Sequence, residues 1–217
     1  MVMKLVKVNG QPATTEGYDE LIQILDDDGI ICFPSENSYR LGASALSEKA
    51  VNALMAVKRR SAHAPALVFV SGPDALESVA ADVSDTARLL ARTFWPRPLT
   101  LLVSPGVVFP SKVRKTLSKA TGLIGVRIPG HPVARAIVER FGKPLLVSSA
   151  NLAKRSGASS PAQVKKNFSR QVDAMVDLGD LPSSPPSTLV DVSQGTFLIQ
   201  RQGAVSEEEI RRVTDAR

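Results

Sequence analysis

Gly29-Ile30-Ile31-Cys32-Phe33-Pro34-Ser35-Glu36-Asn37-Ser38-Tyr39-Arg40-Leu41-Gly42 is the stretch on which the fold turns. Ile30 to Phe33 is a short, unbroken apolar run, the pattern of a strand buried on both faces and therefore of a sheet covered by helices. Ahead of it Tyr18, Leu21, Ile22 and Leu25 recur at helical spacing, with Gly29 placed as the stop. Behind it the chain turns polar from Pro34 to Gly42, which reads as a loop after a strand. Helix, buried strand and polar loop in succession predict an α/β protein.

The alternation continues in both directions. Lys4 to Val8 reads as an opening strand. Ser47 is placed to cap a helix that turns Ala50, Val51, Leu54 and Met55 inward, and Ala66 to Val70 is the next strand. Ser84 opens a helix through Leu89, Leu90 and Phe94, stopped by Pro96 and Pro98. Leu99 to Val103 and Leu123 to Ile128 are strand-like, His131-Pro132 starts a helix with proline in its first turn, and Leu145 to Val147 is apolar again. Pro161 starts a helix toward Phe168, and late strands are expected at Ala174 to Leu178, Thr188 to Val192 and Phe197 to Gln200. Ser206 and Glu209 have the spacing of a capping box, with Val205 and Ile210 as its hydrophobic staple, so a last helix runs over about 206–213. Leu181-Pro182-Ser183-Ser184-Pro185-Pro186 is linker-like, but a strand follows at once, so it reads as a surface loop. The expectation is one domain over 1–217: a large twisted mixed sheet flanked by helices, with a basic cleft.

The chain has 217 residues, 27 Lys plus Arg against 21 Asp plus Glu, and 43% hydrophobic residues. These values exclude a disordered or collagen-like chain. A single cysteine, Cys32, excludes an internal disulfide or a thiolate cluster, and its apolar setting predicts a buried, inert thiol in a reducing compartment. No run approaches the length of a spanning helix, and Met1 to Val8 lacks the apolar segment of a secretory signal, which points to the cytoplasm. The net charge of +6 invites a polyanion, whereas aromatics at 5% are too sparse for a base-stacking platform.

The inventory of nucleophiles and bases is nearly empty. Of the two histidines, His131 stands where an N-cap would be and His63 in a polar turn. No Ser/His/Asp or Cys/His set and no glycine-rich phosphate loop occurs. What remains is a series of polar and basic loops after strands: Pro34 to Gly42, Lys58-Arg59-Arg60, Ser148-Ser149-Ala150-Asn151, and Arg201 after the Phe197 strand. Loops at strand ends are where open α/β sheets bind ligands. Arg127, inside the apolar strand Gly125-Val126-Arg127-Ile128, must find a partner or a ligand. Such a set suits a nucleoside triphosphate held by point charges.

Seven blocks resemble the YrdC family, in its order: Phe33-Pro34-Ser35-Glu36 with Tyr39 and Leu41-Gly42; Val57-Lys58-Arg59-Arg60; Trp95-Pro96 with Pro98-Leu99-Thr100; Gly125-Val126-Arg127-Ile128-Pro129 with His131-Pro132; Ser149-Ala150-Asn151; Ser187-Thr188-Leu189-Val190-Asp191; and Arg201-Gln202-Gly203-Ala204. They cover about 29–204. The resemblance implies threonylcarbamoyl-AMP synthase activity: L-threonine and bicarbonate or CO2 give a carbamate that attacks the α-phosphate of ATP and expels pyrophosphate, for N6-threonylcarbamoyladenosine in tRNA. It implies an ATP site of Lys58, Arg60, Ser149, Asn151 and Arg201, with Lys58 and Arg60 catalytic, and a threonine site of Ser35, Arg127 and Ser187. Magnesium is expected on the phosphates, with Glu36 as a bare candidate ligand. A downstream threonylcarbamoyl-transferase complex, tRNA or another RNA are the macromolecular partners it suggests.

The chain also departs from that pattern. Asn37, Ser38 and Arg40 replace threonine, valine and glycine, Arg97 replaces a glycine, and Phe69 and Leu123 stand where histidine and threonine are common. The ATP side is better kept than the amino-acid side. Two other readings therefore stay open: a YciO-like paralogue using another acyl-adenylate, and a basic module that binds RNA without turnover. Arg40 and Arg97 are expected to border one cleft, either filling it with charge or pointing to solvent.

Overall fold

Strand alternation sorts the side chains of a ten-stranded sheet, in the order β1-β8-β2-β3-β7-β4-β6-β5-β9-β10, onto two faces. The computed structural model describes residues 3–7, 15–58, 65–119, 121–151 and 159–216. The strands are β1 (Lys4–Val6), β2 (Ile31–Pro34), β3 (Tyr39–Ser44), β4 (Ala66–Phe69), β5 (Leu99–Val103), β6 (Ile124–Arg127), β7 (Leu145–Ser149), β8 (Ala174–Val176), β9 (Thr188–Asp191) and β10 (Leu198–Arg201). The helices are α1 (Thr15–Asp26), α2 (Glu48–Lys58), α3 (Leu76–Val79), α4 (Asp85–Phe94), α5 (Ser111–Ser118), α6 (Pro132–Phe141), α7 (Pro161–Phe168) and α8 (Glu207–Thr214). β1 with β8, β8 with β2, β4 with β6 and β5 with β9 run parallel, and the other pairs antiparallel. The sheet is mixed, as the sequence predicted.

One face is covered over the central strands. Cys32, Leu41, Val68, Leu101, Val126, Leu146 and Val190 pack there against Leu54 of α2, Leu90 of α4, Leu117 of α5, Phe168 of α7 and Ile210 of α8. Among the described residues the other face is covered by α1 and α6, whose Leu21, Leu25, Ile137 and Phe141 meet Ile31, Phe33, Phe69, Leu145 and Val147. That second layer ends at β4. Beyond it the alternate residues Leu67, Gly125, Thr100, Leu102, Leu189 and Arg201 line a cavity instead of a core. This uncovered half-face positions the site.

The predicted caps are present. Ser47, Ser84, His131 and Ser206 each accept from a first-turn N–H, and Ser206 with Glu209 closes the capping box; Ser160, not read from sequence, caps α7 in the same way. His131 thus has the structural role its place suggested. Cys32 is buried, and burial raises its thiol pKa. Two expectations need correction. The polar stretch to Gly42 is a loop only as far as Ser38; Tyr39 to Ser44 is a central strand, with Tyr39, Leu41 and Ala43 facing the covered side and Arg40, Gly42 and Ser44 the other. At the end of α1, Asp28 and not Gly29 adopts the left-handed conformation, at φ 66°. Gly29 is needed for space, since a Cβ there would stand 2.6 Å from Ile24 Cγ2. α5 was not read from sequence: it is short and basic, with Val113 and Leu117 as its buried pair.

Thr188 ties the last strands to the loop before α8. Its buried hydroxyl donates to the Val205 carbonyl at 2.6 Å and accepts from the N–H groups of Gly203 and Val205, each at 3.0 Å. Thr188→Val keeps the shape and strands three backbone groups. It is expected to cost about 3 kcal/mol, a fall in Tm of about 10 °C in thermal unfolding. Thr116→Val, at an exposed hydroxyl on Lys112, serves as control and should stay within about 1 °C. Equal shifts in the two variants would contradict this account.

Candidate active site

The uncovered half-face is the floor of a cavity of about 250 Å3 walled by Glu36, Asn37, Arg40, Pro98, Pro185, Pro186 and Ser187. Arg127 reaches it from the end of β6, only 4% of its side chain exposed. The partner that its strand position demanded is Glu36, in the turn between β2 and β3: Arg127 Nη2 donates to Glu36 Oε1, which also accepts from the Gly130 N–H at 2.8 Å. Ser35 donates to the other carboxylate oxygen. Burial alone would raise the Glu36 pKa, but Arg127, the Ser35 hydroxyl and the Gly130 N–H outweigh it and hold it at about 2. The guanidinium also lies over the Phe69 ring, 5.4 Å from its centre. Arg127 is thereby held rigid with its Nε–H buried and unpartnered.

Across the cavity Arg201 Nη2 donates to the Ser187 carbonyl at 2.9 Å, and Thr100 donates its hydroxyl to Ser187 Oγ at 2.9 Å. Arg40, Arg127 and Arg201 therefore face one carboxylate, Glu36, among the residues lining this space. A second cavity, about 470 Å3, is lined by Ser38, Ser149, Ser159, Leu181, Pro182, Ser183 and Ser184, and it shares Asn37 and Arg40 with the first. Asn37 Nδ2 holds the proline-rich loop between them through the Ser184 carbonyl at 3.0 Å. At its edge Lys58, the last residue of α2, donates to the carbonyls of Ser149 and Asn151 and, at 3.1 Å, to Asn151 Oδ1.

The structure thus gathers Lys58, Ser149 and Asn151 at one end, and Arg127, Ser187 and Arg201 at the other. Arg201, expected with the nucleotide group, sits with Ser187. Ser35 is fully buried and meets the cavity only through Glu36. Arg60 and His63 lie outside the described residues. Arg40 borders the cleft as expected and Arg97 does not: it pairs with Glu209 at 2.8 Å over the Phe94 ring and is half exposed. Glu36 is committed to Arg127 and Gly130, and no group of three or more His, Cys, Asp or Glu among the described residues could hold a metal. The described residues do not build a magnesium site. Thr100 and Asn37 went unread as site residues; Thr100 could have been found from its polar place inside the strand Leu99 to Val103.

An arginine-lined cavity over the uncovered half-face of a mixed α/β sheet thus meets a hydroxyl-lined cavity at Asn37 and Arg40. The chain belongs to the Sua5/YciO/YrdC family, whose model, described as telomere recombination, matches residues 23–203. It is 30% identical over 184 residues to the threonylcarbamoyl-AMP synthase of Pyrococcus abyssi, covering 85% of this chain and 53% of that protein. A relative from Mycobacterium tuberculosis H37Rv is 33% identical over 184 residues, with 85% and 82% covered. The P. abyssi Sua5 structure complexed with L-threonine superimposes with a TM-score of 0.85 at 26% identity, over 98% of this chain and 61% of that one. Escherichia coli YciO shares the fold, with a TM-score of 0.83 at 21% identity over 96% and 99%. The chain spans about half the length of the P. abyssi protein it matches.

The depressed Glu36 pKa carries a pH signature. A carboxyl titrating near 2 in the folded chain and at its ordinary 4.5 when unfolded contributes stability that is complete above pH 4.5 and lost as pH falls toward 2. The full contribution is about 3 kcal/mol. Glu36→Gln removes it, so the stability gap between wild type and variant, measured by urea unfolding, should be widest at pH 6 and close toward pH 2. A gap independent of pH would contradict the ion pair.

Proposed function

We propose that this protein is an adenylating enzyme that makes L-threonylcarbamoyl-AMP from L-threonine, bicarbonate or CO2, and ATP. The observation that carries the reading is the shared wall: two polar cavities meet at Asn37 and Arg40, one lined by arginines and one by hydroxyls, as a reaction joining two anions requires. Support also comes from relatives named threonylcarbamoyl-AMP synthase in P. abyssi and Bacillus subtilis and from the threonine complex of P. abyssi Sua5.

In this reading the amino-acid carboxylate lies against Arg127 and Ser187, and the triphosphate lies toward Lys58, Arg60, Ser149 and Asn151, with Arg201 closing the first cavity. The threonine amine adds to CO2 and loses a proton. A carbamate oxygen then bonds to the α-phosphorus as its bond to the bridging oxygen of pyrophosphate breaks. No protein nucleophile takes part, in keeping with the lack of a histidine or cysteine among the described residues that line the two cavities. The protein's work is to bring like charges together and to stabilise the charge that builds on the phosphorus. Magnesium, if it takes part, would enter on the triphosphate. The product would serve a transferase that modifies tRNA.

The test is incubation with ATP, bicarbonate and each of several amino acids, with mass detection of the adenylate and of pyrophosphate. L-Threonine should give the threonylcarbamoyl adenylate. Lys58→Ala, Arg60→Ala and Arg201→Ala should each lower pyrophosphate release about 100-fold in proteins whose circular dichroism is unchanged. Full turnover in all three would sink the reading.

A further inference from the structure

Arg40 stands on the wall that the two cavities share, and the fold gives it nothing to bind. It projects from β3, opposite Ser149 of β7 in the sheet register. Among the described residues its side chain makes no hydrogen bond or ion pair, and its Nε–H is buried without a partner. The one carboxylate among the described residues lining either cavity, Glu36, is taken by Arg127 and Gly130. Burial lowers the Arg40 pKa to about 10, and Arg127 and Arg201 push the same way against Glu36. It is still a cation at neutral pH, held near two others. A charge kept there without a counter-ion destabilises the folded chain unless a ligand completes it. A second orphan, the buried Ser184 hydroxyl, lines the second cavity in the loop that Asn37 holds.

We infer that Arg40 is a substrate-binding residue whose guanidinium takes a substrate oxyanion at the junction of the two cavities. This rests on the reading of the cleft as an adenylating site. The oxyanion can come from the amino-acid carboxylate or from the triphosphate, since both present the planar or tetrahedral oxygens that a guanidinium fork matches. Arg40 then acts where the two substrates meet, and its stored repulsion is relieved as they bind.

The measurement is calorimetric titration of L-threonine alone and of ATP alone into wild type, Arg40→Met and Arg40→Lys, with no turnover in either arm, beside thermal unfolding of the free proteins. Arg40→Met should weaken one ligand at least tenfold, and Arg40→Lys less. A loss confined to L-threonine assigns the contact to the carboxylate, and a loss confined to ATP assigns it to the triphosphate. Ligand-free Arg40→Met should melt at or above the wild-type temperature, because it sheds an unpaired, partly buried cation. Unchanged affinity for both ligands, or a drop of several degrees in melting temperature, would overturn the inference. If wild type binds these ligands but forms no adenylate, the proposed reaction fails and the titrations still decide Arg40. If wild type binds neither, both fall.

Discussion

Incomplete cover on one face of the sheet is the constraint on which the rest of this structure depends. α1 and α6 pack on each other and shield β1, β8, β2, β3 and β7, with Phe69 of β4 at the border. Had Leu67, Gly125, Thr100 and Arg201 been uniformly apolar, their strands would expose a patch of the kind that aggregates or recruits a partner. Instead that half-face mixes leucine with glycine, a hydroxyl and guanidinium groups. Gly125 keeps the floor low: a Cβ there would come within 3.0 Å of Thr100 Cγ2.

Charge organisation follows from that geometry. A guanidinium at the end of β6 is nearly removed from water, and a partly buried carboxylate with its own donors makes that tolerable. Glu36 is such a carboxylate, and its position ties the β2–β3 turn to β6 and to the start of α6. The pair leaves Arg40 and Arg201 unneutralised over the cavity. Gly203 serves the same end, for a Cβ there would sit 2.3 Å from the Pro186 carbonyl, and this close passage keeps Ser187 at the cavity wall.

Much of this was legible from the chain. Buried strands with apolar runs, the Ser206–Glu209 box, the His131 cap and the need of Arg127 for a partner all read correctly, because each is a local pattern. β3 was missed because Arg40, Gly42 and Ser44 make the stretch read as a polar loop, although Tyr39, Leu41 and Ala43 alternate with them at period two. The identity of the Arg127 partner was out of reach, since Glu36 lies 91 residues away and the contact is made by topology. Arg97 went wrong for the same reason: in sequence it looks like Arg40, and only packing of α8 near α4 gives it Glu209.

The central claim is that the uncovered half-face receives the amino acid. A crystal of this protein grown with L-threonine tests it most directly. The account predicts the threonine carboxylate on that half-face, within hydrogen-bond distance of Arg127 or Ser187. Threonine bound outside the two cavities, or both cavities left empty at saturating threonine, would contradict it.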